Sequence, residues 1–471
     1  MKQKNIPILK MLDKFTKKNP LSFHVPGHKN GTIFPEQAQT YYEHILKLDV
    51  TELPGLDDLH APQGSIAEAE KLATKFFQSD HTFFLINGST VGNLAMILAT
   101  CKQGDKVIVQ RNCHKSIMNG LELAGVRPIF IAPDYDAKVQ RFTSPALKTF
   151  ADALSEHPDA AAVILTYPDY FGRTYNIKAM IELAHKNNIP VLVDEAHGVH
   201  FSLGNPFPSS SLTLGADVVV HSAHKTAPAM TMASYLHIKS TRVTKECLAY
   251  RLQMLQSSSP SYPLMASLDI ARYFLANQTE ESIQQALTDV QEIKALFAAE
   301  TYDKWELVPS NDPIKLTIQL KDGYTAKEAA TLFEAQGIYP ELVTERQILF
   351  IFGLASFTEW NRLKKVLDSV NEKLKNEPNH ATIEVVNLFT SKRQELALSY
   401  RKMEGLEQKL IPLEASNGEI AAEAVIPYPP GIPFILKGEM VTHEHIRAIR
   451  QLTVRGVRIQ QRNEGIRIFK Q

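Results

Sequence analysis

The chain is poor in cysteine, carries no net charge and has no long apolar run. Its three cysteines, Cys101, Cys113 and Cys247, are too few and too irregularly spaced for a disulfide framework or a closed zinc site. A reducing cytoplasm fits best, and no metal centre is expected. Lys plus Arg number 51, as do Asp plus Glu, so no global field draws the chain to nucleic acid or to an anionic membrane. Selectivity must come from a local pocket. No stretch approaches the roughly 18 apolar residues of a membrane span, and the opening MKQKNIPILKMLDKFTKK scatters lysines where a signal peptide needs an unbroken apolar segment. The expectation is a soluble, unexported protein that handles small metabolites. Internal repeats and low-complexity tracts are missing as well.

What is present is length and rhythm. The 471 residues allow a large domain with one or two smaller ones, each with its own core. From about residue 80 to about residue 240 the chain alternates helical patterns with the short apolar runs TFFLI, KVIVQ, RPIFI, AAVILTY, PVLVDEA and DVVVHSA. Continuous apolar runs are what strands covered on both faces look like, so a doubly wound α/β domain with a mostly parallel sheet is predicted. Further on, long helical patterns (LTDVQEIKALFAAE, AKEAATLFEAQG, EWNRLKKVLDSVNEKLKN) mix with PIKLTIQL and QILFIFGL, the texture of a second, α+β domain. The polar stretch NEPNHAT separates it from a C-terminal segment with the Pro-rich run PYPPGIP.

Ligands of such sheets sit at the carboxyl ends of the strands, and there the unusual polar residues gather: NGST, RNCHKS, TYPDYFG, DEAHG and HSAHKT each follow an apolar run. Lys225 alone would read as a solvated charge. Flanked by Ser222, His224 and Thr226 at a strand exit, it reads as an amine partly withdrawn from water, able to lose its proton and attack an aldehyde. The hydroxyls and imidazole beside it suit a phosphate. Asp194 ends the run VLVD, where a carboxylate is costly without a partner; it is either a helix cap or ion-pair member, or the partner of a pyridinium nitrogen. Gly88, Ser89 and Thr90 stand at a strand-to-helix turn whose free N–H groups favour an anion, although an ordinary N-cap uses the same residues. His114 is a surface polar residue or an imidazole that stacks on the pyridine ring and assists proton transfer. His197 has the same two readings, and Ala196 is expected to pack beneath the ring.

Assembled, these residues make the sequence resemble the Orn/Lys/Arg decarboxylase family, pyridoxal-phosphate enzymes of the aspartate-aminotransferase-like fold. The resemblance is carried by HVPGHKNG at 24–31, DVTELPGLDDLHAPQGSIAEAE at 49–70, FFLINGSTVGNLAMILA at 83–99, GDKVIVQRNCHKS at 104–116, VDEAHGVH at 193–200, HSAHKTAPAMT at 221–231, SSSPSYPLMASLD at 257–269 and YPPGIPFILKGE at 428–439. It implies an N-terminal segment at 1–60, a large cofactor-binding α/β domain at 61–270, a small α+β domain at 271–375 and a C-terminal domain at 376–471. Lys225 would hold pyridoxal 5'-phosphate as a Schiff base, Asp194 would face its ring nitrogen, and His114 would stack on it. Ser89, Thr90, Ser222 and His224 would bind phosphate. Ser258 would reach the phosphate of a neighbouring subunit, which implies a homodimer or a multiple of it.

Because HVPGHK begins at residue 24, the chain resembles the short bacterial form without the extra regulatory domain of large members. Short forms resemble biosynthetic arginine decarboxylases, so arginine is the first expectation, lysine the second and ornithine the third. Asp169 and Glu439 are candidates to face the cationic side chain. In the expected reaction carbon dioxide leaves the substrate and Lys225 or His224 returns a proton to Cα. Two segments depart from the family pattern, Asn417-Gly418-Glu419 and Lys437-Gly438-Glu439, where a basic residue after the first glycine and a proline before the second are expected. The same cofactor also supports transamination and elimination, and a silent cofactor-binding protein would keep the fold without turnover.

Overall fold

The computed structural model describes residues 3–375, 389, 391–428, 432–454, 458–459 and 465–470. The separating stretch at 376–382 lies outside the described residues, as do 429–431 of the Pro-rich run. The chain forms two compact units, Met1–Thr100 with Asn188–Thr279 and Cys101–Asn187 with Glu280–Gln471. In chain order the strands are β1 (His81–Leu85), β2 (Lys106–Gln110), β3 (Arg127–Ile131), the short β4 (Tyr135–Asp136) and β5 (Arg141–Phe142), β6 (Ala162–Thr166), β7 (Val191–Asp194), β8 (Val218–His221) and β9 (Ser234–Ile238). Then follow β10 (Trp305–Val308), β11 (Lys315–Leu320), β12 (Leu342–Val343), β13 (Gln347–Ile351) and β14 (Arg393–Glu395).

In the first unit β8 pairs parallel with β7, while β9 pairs antiparallel with both β8 and β1. Only β9 is therefore reversed, and the carboxyl ends of β1, β7 and β8 open at the same end of the sheet. Every residue of β7, β8 and β9 is buried, which is why β7 and β8 read as continuous apolar runs; each Val or Leu so placed contributes about 1.5–3 kcal/mol. The helix Gly88–Thr100 lies directly on this sheet. A Cβ at Gly92 would come within 2.8 Å of Leu85 Cδ1 and 2.9 Å of Val220 Cγ1, so only glycine permits the approach.

The outward edge of β1 is finished by side chains. Thr82 N donates to Thr74 Oγ1 at 3.0 Å, Phe84 N to Glu70 Oε1 at 3.2 Å and Ile86 N to Gln256 Oε1 at 2.8 Å. The N-terminal helix Pro7–Thr16 buries Ile8 and Leu12 in the same unit and is pinned by a fully buried ion pair of Asp269 with Arg272. Asp269 Oδ2 accepts from Ile8 N, and Arg272 donates to the carbonyls of Gln3 and Asn5.

In the second unit β2 pairs parallel with β3 and β6, and β14 closes antiparallel on β3. A separate antiparallel sheet in the order β10-β11-β13-β12 carries helices around a core of Phe297, Trp305, Ile318, Phe333, Phe350 and Leu367. A further small core gathers Val425, Ile435, Ile449, Ile466 and Ile468 near the C-terminus. The architecture is α/β, as the apolar runs predicted, with a smaller C-terminal domain; the central sheet is mixed, because β9 and β14 run antiparallel to their neighbours.

Candidate active site

The strand exits of the first unit converge because of their shared direction. Beyond β1 the chain turns at Gly88, at φ +76°, where its N–H is held by the Met232 carbonyl at 2.9 Å, and enters the 13-residue helix Gly88–Thr100. Ser89 and Thr90 lie in the first turn, whose N–H groups have no partner within the helix; Ser89 is half-buried and Thr90 exposed. Ser222, fully buried at the exit of β8, donates from Oγ to Ser89 Oγ at 2.8 Å. Two of the predicted phosphate ligands thus meet from two strands.

Lys225 follows in the four-residue helical turn Ala223–Thr226 and is half-buried. Its Nζ is 3.0 Å from His197 Nε2, and His197 is only 6 % exposed, so His197 is not a surface residue. His224 Nδ1 lies 3.1 Å from the Ala233 carbonyl; a carbonyl can only accept, so Nδ1 carries the ring proton. Ala196 is half-buried.

Asp194 is 4 % exposed. Oδ2 accepts from Asn93 Nδ2 at 2.9 Å and Oδ1 from Ala196 N at 3.1 Å, so its orientation is held from both sides. Asn93 was not among the expected residues. Its signal was one amide within the otherwise apolar stretch VGNLAMILA, four positions after Ser89 and so on the same face.

The other expected residues are placed differently. His114 belongs to the second unit, where its Nδ1 accepts from Ser116 N at 3.2 Å and caps the helix Lys115–Ala124. Ser258 is exposed in the loop after the helix Lys245–Leu255, and that loop is tethered where His60 Nε2 meets the Ser257 carbonyl at 2.9 Å. The two acidic candidates are already paired. Glu439, 4 % exposed, accepts from Arg111 at 3.1 Å, Leu436 N at 2.8 Å and Gln394 at 2.7 Å. Asp169 accepts from the amides of Phe171 and Arg173 and lies 3.6 Å from Arg141. Both act as pins within the second unit.

In the two departing segments, Lys437 pairs with Glu122 at 2.5 Å and Glu419 lies 3.8 Å from Lys409. Among the described residues no group of three or more His, Cys, Asp or Glu is placed to hold a metal ion, and no helix is long and apolar enough to cross a membrane.

Residues 6–359 match the family model for the Orn/Lys/Arg decarboxylase major domain, and residues 380–461 match the model for the C-terminal domain of the same decarboxylases. The chain belongs to the Orn/Lys/Arg decarboxylase family. It is thus an amino-acid decarboxylase of the basic class. Among curated relatives, YaaO of Bacillus subtilis, an uncharacterised protein, is 42 % identical over 95 % of this chain and 94 % of its own length. Arginine decarboxylase of the same organism is 36 % identical over 95 % of this chain and 94 % of its own. Among solved structures, the constitutive lysine decarboxylase of Escherichia coli superposes with a TM-score of 0.82 at 19 % identity, covering 99 % of this chain and 82 % of that one; at that identity the likeness is one of fold.

Proposed function

We propose that this decarboxylase carries pyridoxal 5'-phosphate on Lys225 and converts arginine to agmatine and carbon dioxide. The observation that carries the cofactor reading is the donor set at one end of the sheet. An amine at Lys225, paired hydroxyls at Ser89 and Ser222 beside a helix N-terminus, and the oriented carboxylate of Asp194 match the aldehyde, phosphate and ring nitrogen of that group. Arginine is favoured by the relative of like length that bears that activity.

When bound, the cofactor supplies an electron sink for the pair left behind as carbon dioxide departs. The chain's own residues do the rest. Asp194, held by Asn93 and Ala196, keeps the ring nitrogen protonated. Ser89, Thr90, Ser222 and His224 hold the phosphate, and Lys225 Nζ, hydrogen-bonded to His197, holds the proton that Cα takes up. His114 stacking on the ring and Ser258 serving a neighbouring subunit rest on the family resemblance, as does a homodimer or higher assembly.

The test is amine product by mass spectrometry from purified protein with pyridoxal phosphate and, separately, arginine, lysine and ornithine, with Lys225→Ala as the blank. Agmatine above the blank supports the reading. Cadaverine or putrescine alone moves the substrate to lysine or ornithine, and activity retained in Lys225→Ala removes Lys225 from its role.

A further inference from the structure

Beneath the site runs a line of polar side chains with one member from each of four neighbouring strands. Thr82 on β1, His237 on β9, His221 on β8 and Glu195 just beyond β7 are all fully buried. Thr82 Oγ1 lies 2.8 Å from His237 Nδ1, His237 Nε2 lies 3.0 Å from His221 Nδ1, and His221 Nε2 lies 3.0 Å from Glu195 Oε1. Ser79 Oγ joins the outer end, 2.9 Å from Thr82 Oγ1. At the inner end Glu195 Oε2 accepts from Ser211 N at 2.6 Å and from Ser211 Oγ.

With both imidazoles neutral, one set of tautomers satisfies the whole line. A carboxylate only accepts, so His221 Nε2 donates to Glu195. His221 Nδ1 then accepts from His237 Nε2, whose Nδ1 accepts from the Thr82 hydroxyl. With these tautomers every N–H and O–H of the line points toward Glu195. Burial foremost, with His221 and His81 adding, pushes the imidazole of His237 well below its ordinary range.

In apolar surroundings the field of such an aligned line of dipoles is weakly screened. Glu195 is one peptide bond from Asp194. The turn between them and the next strand is tight: Glu195 N donates to the Val220 carbonyl at 3.0 Å, and Gly198 N to the Glu195 carbonyl at 2.9 Å. A Cβ at Gly198 would stand 2.6 Å from Glu195 Cγ, so glycine is required for the carboxylate to turn inward. Apolar residues would fill these four positions at lower desolvation cost, so stability alone does not explain the line.

We infer that Glu195, held by the Thr82–His237–His221 line, is a positioning residue that acts on the reaction through Asp194. It keeps the Asp194 carboxylate in place and strengthens its hold on a proton shared with the cofactor ring. This rests on the site reading above. Glu195 itself touches neither substrate nor cofactor.

The test uses the full chain loaded with pyridoxal phosphate. Glu195→Gln keeps the far-ultraviolet dichroism and the bound-cofactor ratio, shifts the pH at which the absorbance of the bound cofactor changes, and lowers kcat by about tenfold or more with KM changed less than about twofold. Thr82→Val, at the far end, moves kcat in the same direction by no more than about threefold. Should Glu195→Gln fail to fold, Ser211→Ala removes one donor and is expected to shift the same absorbance profile.

A fall in kcat that only follows lost cofactor, with an unmoved absorbance profile, overturns the inference. Wild-type protein with neither cofactor absorbance nor amine product overturns the site reading itself. Wild-type activity with an indifferent Glu195→Gln overturns this inference alone.

Discussion

Acid should weaken the fold of the unloaded protein in a way traceable to one imidazole. His237 is fully buried, and burial foremost, with His221 and His81 adding, holds it neutral to well below the usual 6.5. In the unfolded chain it titrates normally. Below about pH 6.5, therefore, the unfolded state takes up a proton that the native state refuses, and stability falls as pH falls, by about 1.4 kcal/mol per unit. Above that pH the contribution is complete and flat. From about pH 6.5 to 5 the loss from this group alone comes to about 2 kcal/mol. Urea unfolding of wild type and His237→Gln across that range reads it directly. The substitution lowers stability at all pH by disturbing the line, but its curve should fall less steeply, by about one proton's worth of slope. Parallel curves would refute the argument, because they would mean that His237 takes its proton in the folded state as well.

Two further outcomes follow from buried groups elsewhere. Arg111→Met leaves the buried carboxylate of Glu439 without its guanidinium partner and should cost about 3–5 kcal/mol, whereas pairing it with Glu439→Leu should recover most of the loss; a double variant no better than the single one in thermal unfolding would show that the pair is not the relevant unit. Burial foremost, with Asp105 adding, pushes the Cys101 thiol up to about 12, while Cys247 is exposed. Iodoacetamide on native protein near pH 8 should therefore mark Cys247 and spare Cys101; peptide mapping that finds Cys101 alkylated at a comparable rate would contradict the burial.

The strands were legible because burial on both faces leaves an unmistakable trace. KVIVQ and RPIFI coincide with β2 and β3, and VLVD and VVVH end where β7 and β8 end. The residues at those exits were legible for the same reason, since His, Asp and Lys directly after such runs have no packing role. The reversed strand β9, SYLHI, left no such trace, because a histidine in its interior looks like a face exposed to water. Thr82 and His221 also passed as ordinary strand residues. Their meaning depends on register, with Thr82 opposite His237 and His237 opposite Val219, and no local pattern records which strands are neighbours. Glu439 failed in the opposite direction: a carboxylate near an expected entrance looked available, and only the folded chain brings Arg111, distant in sequence, against it.

The finish of β1 has a consequence for assembly. At alternate residues, Thr74, Glu70 and Gln256 present oxygens where an adjoining strand would present carbonyls. An incoming chain would have to displace a threonine, a buried glutamate and a glutamine to zip onto this border, so recruitment of a foreign strand is blocked here without proline, bulge or surface lysine. Whatever copies of this protein join, they do so through side-chain surfaces and not by extending the sheet at β1. The glutamine that completes this mimicry also fixes where the chain leaves its helix toward Ser258, so closing the border and aiming the loop are achieved by one residue.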